Sequence, residues 1–221
     1  MKKLIADAGS TKTAWATLVN GKRQRTLQGN GINPMTMSES EINNFLSVQI
    51  APLLKDEAPQ EIWFYGAGCK DEAKERMMKL LKQYAPASDI YIHSDIIGAA
   101  RATQGTSEGI VCILGTGSNS CYYDGTNICK NISPLGFILG DEGSGASLGK
   151  LLIGETIKGE LTYLKETFYN EMGITESDII ERVYRKPFPN KFLASLTPFI
   201  YQHRDDKIVH NLVVKEFERF I

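Results

Sequence analysis

The chain has 221 residues, enough for one large domain or two small ones, and a formal net charge of −1 at pH 7. Its contents of 42% hydrophobic and 23% charged residues are ordinary for a globular protein, and the near-neutral charge excludes an electrostatic footprint for nucleic acid or for an anionic membrane. No apolar run reaches the length of a membrane span or of a signal-peptide core. The four cysteines show no CxxC spacing, which favours reduced thiols over disulfides or zinc ligation and predicts a cytoplasmic protein.

The first half of the chain alternates short apolar strands with segments of helical periodicity. Asn20-Gly21, between two extended runs, predicts a type I′ hairpin. The order β-β-β-α-β-α-β-α indicates an α/β lobe with a mixed sheet flanked by helices. The predicted strands are 3–7, 14–19, 23–28, 62–65 and 89–93, and the predicted helices are 38–54, 70–84 and 96–103.

After a polar linker at residues 104–108, the pattern of strand, small-residue turn, strand and hairpin begins again. This repeat predicts two lobes, residues 1–105 and 106–221, each offering one small-residue turn to a cleft between them. In the last predicted helix, apolar residues and Glu216 recur at helical spacing. The predicted elements of this half are strands 109–114, 120–123 and 126–132, a hairpin turn at Asp124-Gly125, and a helix at 208–221.

The first small-residue turn, DAGSTKT at residues 7–13, has the chemistry of a phosphate-binding loop. Glycine lets the backbone approach a phosphate closely, and small hydroxylic residues point donors at it. A carboxylate at the end of the preceding strand suits a Mg²⁺ ion that is held largely through water. The alternative is a tight polar hairpin with an aspartate near its bend. The residues assigned to this site are Asp7, Gly9, Ser10, Thr11 and Thr13, with Asp7 also assigned to the metal.

The second small-residue turn, LGTGSNS at residues 114–120, repeats this chemistry through Gly115, Thr116 and Gly117. Two such turns in equivalent positions are more informative than either alone. A polyphosphate between them would have donors on both sides, so the pair predicts a polyphosphate site.

Asp95 is the candidate for catalysis. It follows a buried strand and opens a helix, where a carboxylate could accept a proton from a hydroxyl that attacks the γ-phosphate. The alternative is a plain helix N-cap, a position that aspartate fills well and that spacing alone favours.

Three motifs in sequence order carry a resemblance to a known family: DAGSTKT, LGTGS and GDEGSG at residues 140–145. They resemble the motifs of the BadF/BadG/BcrA/BcrD-type ATPase and N-acetylglucosamine kinase family, part of the actin/hexokinase-like superfamily. The resemblance covers about residues 4–159. It implies an α/β, two-lobed, ribonuclease H-like fold with an incomplete second lobe. It also implies a carbohydrate kinase that uses ATP and Mg²⁺ on an amino sugar, foremost N-acetylglucosamine at its 6-hydroxyl.

The same resemblance implies roles for particular residues. HSDIIGAA at residues 93–100 is similar to the family segment in which the aspartate is the base, which favours the catalytic interpretation of Asp95 over the cap. Gly66-Ala67-Gly68 lines the floor of the cleft in this interpretation, with a simple strand-to-helix turn as the alternative. Dimers are common in the family, so a homodimer is one option for this chain. The sugar-binding residues implied are Asn33, Ser118, Asn119, Gly136 and Asp141, for which turn, strand-start and cap positions are the alternatives.

The sequence departs from the family pattern twice. Leu135 stands where many members have a tryptophan that contacts the sugar, which leaves the acceptor and the need for its N-acetyl group open. The glycine-rich adenosine motif does not follow residues 203–221, so we expect the sequence to be part of a longer polypeptide. Two other functions stay open: an activator ATPase with an iron–sulfur cluster held by cysteines such as Cys69 or Cys129, and a sugar-sensing module without catalysis.

Overall fold

The computed structural model describes residues 1–54 and 58–221. The chain divides into two compact units, Met1–Val111 with Tyr122–Cys129, and Cys112–Cys121 with Lys130–Ile221. The lobe boundary between residues 105 and 106 remains a proposal about the fold.

A five-stranded mixed sheet and three helices build most of the first unit. The strand order is β3-β2-β1-β4-β5, in which β2 runs antiparallel to β1 and β3, while β1, β4 and β5 are parallel. This confirms the predicted α/β order and the mixed sheet. The elements are β1 (Lys2–Ala8), β2 (Lys12–Val19), β3 (Lys22–Asn30), α1 (Glu39–Leu54), β4 (Glu61–Gly66), α2 (Asp71–Tyr84), β5 (Asp89–Ser94) and α3 (Asp95–Gln104).

A second sheet has three strands in the order β6-β7-β8, and helices follow it along the chain. The strands are β6 (Gly109–Leu114), β7 (Ser118–Tyr123) and β8 (Ile128–Ile132). The helices are α4 (Gly136–Leu139), α5 (Gly145–Lys158), α6 (Lys165–Met172), α7 (Glu176–Tyr184), α8 (Pro189–Ala194), α9 (Thr197–Gln202) and α10 (Lys207–Phe220), with a 3₁₀ turn at Thr162–Leu164.

The two predicted hairpin turns have different outcomes. Asn20 and Gly21 have φ of 49° and 76°, the left-handed pair that a type I′ turn requires. At the second hairpin the connection is longer than the predicted Asp124-Gly125 pair, because Asp124 Oδ1 accepts from the N–H groups of Thr126 and Asn127 at 2.8 and 2.7 Å. This side-chain turn delays β8, predicted from residue 126, until Ile128.

The core of the first unit follows from the two-residue period of its strands. Alternate residues of β1 and β4, such as Leu4, Ile62 and Phe64, are buried with apolar residues of α1 and α2. Trp15 is buried completely among them and donates its indole N–H to Gln49 Oε1 at 2.9 Å, so its polar atom is satisfied. This packing fixes α1 and α2 on one face of the sheet.

The other face of β4 and β5 carries an aromatic stack. Trp63 lies over Tyr91 with ring centroids 4.2 Å apart, and over His93 at 5.9 Å. The guanidinium of Arg101 lies 5.8 Å from the ring centroids of both Trp63 and Tyr65. Arg101, in α3, therefore ties that helix to the aromatic face.

The second unit has a helical core of its own. Phe168 and Phe199 meet edge to face with centroids 5.2 Å apart, and Leu152 of α5 and Val209 of α10 are completely buried in the same cluster. Within the described part of the chain, no helix combines the length and the apolarity that a membrane crossing requires.

Candidate active site

The parallel strands bring Asp7 and Asp95 to the same edge of the first sheet. Ala8 at the end of β1 pairs with Gly66 of β4, and Gly66 pairs with Ser94 at the end of β5. Asp7 directly precedes Ala8, and Asp95 directly follows Ser94. Neighbouring strands lie about 4.8 Å apart, and the two residues are offset by two positions, about 6.6 Å, along the strands. The Cα atoms of the two aspartates are therefore separated by roughly 12 Å at the carboxyl edge of the sheet.

Asp95 is the first residue of α3, while Ser94 occupies the N-cap position. Asp95 Oδ1 accepts a hydrogen bond from the N–H of Ile96 at 2.9 Å. Burial raises the pKa of Asp95; the Ile96 hydrogen bond opposes this, the Asp7 carboxylate adds to it, and Lys70 again opposes it. The carboxyl group is thus partly shielded from water and within electrostatic reach of Asp7, which suits a base.

The first turn is held by short backbone bonds. The N–H of Gly9 donates to Lys12 O at 2.9 Å, and the N–H of Gly31 donates to Thr11 O at 3.0 Å. Gly31 lies so close that a Cβ there would be 2.5 Å from the carbonyl carbon of Ser10. A glycine outside the predicted motif therefore shapes the backbone of Gly9, Ser10 and Thr11.

Thr13 faces another direction. It lies in β2 on the same side as Trp15, and both side chains are buried completely. In the described part of the chain its Oγ1 has no hydrogen-bond partner. The structure therefore presents the Thr13 hydroxyl to the core, and its predicted contact with a phosphate awaits a test.

Asn33 lies beside the Gly66-Ala67-Gly68 turn. Asn33 Oδ1 accepts from the N–H of Met35 at 3.0 Å, and a Cβ on Gly68, which has φ of +74°, would lie 3.0 Å from Asn33 Cγ. The N–H of Ala67 donates to Ala8 O at 2.9 Å, which ties the turn to the end of β1. Asn33 and this turn therefore adjoin the sheet edge that carries Asp7 and Asp95.

Lys70 has a place near this edge that the sequence did not predict. It lines a groove of about 740 Å³ together with Pro34 and Met35, the two residues after Asn33, and charged residues of α2. Its charge also lowers the pKa of Asp95, against the larger effect of burial. The available signal was its position, two residues after Gly68.

In the second unit, the second turn is anchored to the start of α5. The N–H groups of Gly145 and Ala146 donate to the carbonyl groups of Gly115 and Thr116 at 2.8 and 3.1 Å. These are two of the N–H groups that the first turn of a helix leaves without helical partners. A Cβ on Gly117 would lie 3.0 Å from Asp141 Oδ2, so the turn also packs against Asp141.

Asp141 and Ser118 are brought together. Both are buried, and Asp141 Oδ1 accepts from the N–H of Ser118 at 3.3 Å. Burial raises the pKa of Asp141; the Ser118 N–H opposes this, Glu142 adds to it and Lys150 opposes it. Ser144, not Asp141, caps α5, because its side chain accepts from the N–H of Ser147. The cap interpretation of Asp141 was therefore wrong.

Two other predicted sugar ligands, Asn119 and Gly136, make their hydrogen bonds to residues other than Asp141 and Ser118. Asn119 Oδ1 accepts from Asn131 Nδ2 at 2.7 Å, a contact between β7 and β8. Gly136 is exposed with φ of +77°, and its carbonyl group accepts from the N–H of Gly140 at 2.8 Å, which closes the short helix α4. Their roles toward a sugar are not tested by these contacts.

The donor set at Asp7 fits a hydrated magnesium ion. That carboxylate is exposed at the strand end beside the first turn, which suits an ion with several water ligands. Among the described residues, no group of three or more histidine, cysteine, aspartate or glutamate side chains could hold a metal ion. Cys69 and Cys121 are buried and Cys129 is exposed, and burial raises the pKa of Cys69 to about 12.

Comparison with solved structures identifies the relatives of the chain. The crystal structure of the "putative N-acetylglucosamine kinase" from Porphyromonas gingivalis matches at TM-score 0.94 and 49% identity, over 98% of this chain and 78% of that chain. The protein of the same description from Chromobacterium violaceum matches at TM-score 0.76 and 18% identity, over 99% and 80%. The ROK hexokinase from Thermus thermophilus matches at TM-score 0.51 and 10% identity, over 100% and 89%.

The last two similarities concern the fold alone, and they confirm the predicted actin/hexokinase-like fold. No protein-family model matches the sequence, and no curated protein does. The likeness to the activator ATPases therefore stays a prediction. The identity with the Porphyromonas gingivalis protein extends over nearly the whole chain, and the chain belongs to that protein's family, which is a family of carbohydrate kinases.

Proposed function

We propose that the protein transfers the γ-phosphoryl group of ATP to a hydroxyl of an amino sugar, foremost the 6-hydroxyl of N-acetylglucosamine. One observation carries the proposal: Asp7 and the partly buried Asp95 share the carboxyl edge of three parallel strands. This chain is also 49% identical to the Porphyromonas gingivalis protein, which is described as a "putative N-acetylglucosamine kinase".

Asp95 is the proposed base. Its carboxylate takes the proton from the sugar hydroxyl as that oxygen attacks phosphorus, while the bond between the γ-phosphorus and the bridging oxygen of ADP breaks. A base works best when its pKa approaches the working pH, and burial shifts the pKa of Asp95 in that direction. The helix start at Ser94 and the hydrogen bond from Ile96 fix the carboxyl group in one orientation.

The two small-residue turns are the proposed phosphate contacts. Gly9 and Gly115, whose N–H groups are used within their own turns, would let the backbone approach the phosphates closely. Ser10 and Thr11 in the first turn and Thr116 and Gly117 in the second would supply N–H and O–H donors, and Asp7 would hold hydrated Mg²⁺. When bound, the metal ion would neutralise charge on the phosphates. The backbone bonds that brace each turn support the proposal, because a braced turn offers its donors without a further ordering cost.

The residues proposed to bind the sugar are Asn33, Ser118, Asn119, Gly136 and Asp141. Among these residues Asp141 is best placed to bind a sugar hydroxyl. Its carboxylate is buried beside Ser118 and has lost hydrogen bonds to water, which a hydroxyl of the sugar would replace. Neither the activator ATPase nor the sugar-sensing module has a specific observation in its favour.

An ADP-release screen of the full-length protein against a panel of amino sugars tests the proposal. We expect ADP release with N-acetylglucosamine or a close relative, and a loss of about 10² to 10⁴ in kcat for Asp95→Asn. Asp89→Asn is the matched control and should keep wild-type kcat, because Asp89 is an exposed residue at the start of β5, the strand that precedes Asp95. Wild-type turnover by Asp95→Asn would refute the assignment of the base.

A further inference from the structure

A glutamate on the last helix is buried against the GDEGSG segment. Glu216 of α10 is only 1% exposed. Its Oε1 accepts from the N–H of Gly143 at 3.1 Å and from the hydroxyl of Ser147. Its Oε2 accepts from the guanidinium of Arg219 at 3.1 Å. Both carboxylate oxygens therefore have partners, and those of Oε1 lie 69 or more residues away along the chain.

The surroundings explain why a carboxylate is tolerated there. A buried charge is costly unless it is paired and hydrogen-bonded. Arg219 supplies an opposite charge, which it shares with Glu142 at 3.7 Å. Ser147 belongs to the first turn of α5, where the helix dipole favours a negative group. Removing the carboxylate would leave the Gly143 N–H and the Ser147 hydroxyl without these partners.

The contacts of Glu216 bracket the residues that hold the second turn. Glu216 binds positions 143 and 147, while Gly145 and Ala146 between them donate to Gly115 and Thr116. Asp141, two residues before Gly143, accepts from Ser118 at the end of that turn. Gly143 itself has φ of +73° and lies next to side chains of α10, so this helix is in direct contact with the segment.

We propose that Glu216 is a positioning residue: it fixes the segment from Gly143 to Ser147 and thereby sets Asp141 and the second turn in the arrangement that the sugar requires. This inference rests on the proposed function. No motif in the sequence signals the role, because Glu216 lies far from GDEGSG along the chain.

Kinetics of Glu216→Ala, with Glu218→Ala as the matched control, provide the first test. Glu218 is an exposed residue of the same helix. We expect the KM for the sugar to rise about tenfold or more in Glu216→Ala, the effect of losing buried hydrogen bonds of about 1.4 kcal/mol or more. Glu216→Gln keeps an acceptor oxygen and should recover most of that loss, and Glu218→Ala should match wild type. A merely structural residue would lower the amount of folded enzyme without changing KM.

Hydrogen–deuterium exchange of the same variants supplies a readout that needs no activity. In Glu216→Ala, exchange should increase over residues 141–147, while α7 keeps its wild-type protection. If Glu216→Ala does not fold, Ser147→Ala, which removes one of the two donors, should raise KM and local exchange to a smaller extent. Wild-type KM and exchange in a folded Glu216→Ala would overturn the inference. Failure of the wild-type protein to phosphorylate any sugar would instead refute the proposed function, and the exchange data would still decide whether Glu216 holds the segment.

Discussion

Asp95 illustrates how a single side chain links catalysis to stability. Burial raises its pKa in the folded state above the unfolded value. The contribution of such a group to stability is fully present below the unfolded pKa and is lost as the pH rises through the folded pKa. At neutral pH the ionised, shielded carboxylate therefore lowers the free energy of unfolding, a cost that an active site accepts for a reactive base.

Asp95→Asn should consequently be more stable than wild type at pH 7, although it loses activity. Asparagine cannot ionise, so the difference should shrink as the pH falls toward the ordinary range of aspartate near 4. Urea unfolding between pH 4 and pH 8 measures this directly, with Asp89→Asn as the exposed control. A pH-independent difference between Asp95→Asn and wild type would contradict the linkage.

Thr13→Val tests the direction of the Thr13 side chain. Its hydroxyl is buried without a partner in the described residues, so an isosteric valine should raise the free energy of unfolding by about 1 kcal/mol. If the hydroxyl faces the core as observed, the KM for ATP should stay at the wild-type value. A stable variant with a raised KM for ATP would show instead that Thr13 turns toward the nucleotide.

At the scale of elements, the first turn depends on Gly31 as much as on its own residues. A methyl group at Gly31 would meet the backbone of Gly9 and Ser10, whereas one at Gly21 would meet nothing within 4 Å. Gly31→Ala should therefore displace the turn and raise the KM for ATP about tenfold or more. Gly21→Ala should cost only the strain of its positive φ, about 1 kcal/mol of stability, with an unchanged KM. Equal KM values for both variants would separate Gly31 from the nucleotide site.

Local chemistry decided which elements could be predicted. Helix α1 begins directly after Ser38, as the capping pattern predicts. The N–H of Ser38 donates to Glu41 Oε2 at 2.8 Å, and the N–H of Glu41 donates to Ser38 Oγ at 3.3 Å, so the two residues cap each other. The delayed start of β8 escaped prediction, since the hydrogen bonds of the Asp124 side chain compete with the strand ladder. Hydrophobic periodicity indicates which face of an element a side chain lies on, but not whether a local side-chain hydrogen bond replaces the backbone bonds of a strand.

For the whole molecule, each compact unit has its own hydrophobic cluster. Phe199→Ala removes one ring of the edge-to-face pair with Phe168 and should cost about 3–5 kcal/mol. Hydrogen exchange should then increase in α6, α9 and α10, while the strands of the first sheet keep their protection. A uniform increase in all elements would show that the two clusters unfold together.

The candidate site shows where sequence reasoning ends. The shared sheet edge of Asp7 and Asp95 could be predicted because each directly follows or ends an apolar strand, and parallel strands bring such ends together. The contacts of Lys70 and Glu216 could not be predicted, because they arise from a groove and from a helix that meets a distant segment. Contacts of long sequence separation leave no periodic or motif signal in a single sequence.

Both indole rings lie in the first unit, so intrinsic tryptophan fluorescence reports on the folding of that unit. Trp15 is sealed in the core of the first unit and Trp63 lies in the stack with Tyr91 and His93, and these are the only tryptophans in the sequence. Tryptophan fluorescence, excited at the long-wavelength end of the absorption band where tyrosine does not absorb, will therefore report the unfolding of the first unit and not that of the second. A tryptophan introduced at Phe168 would add fluorescence emission that reports on the helical core of the second unit.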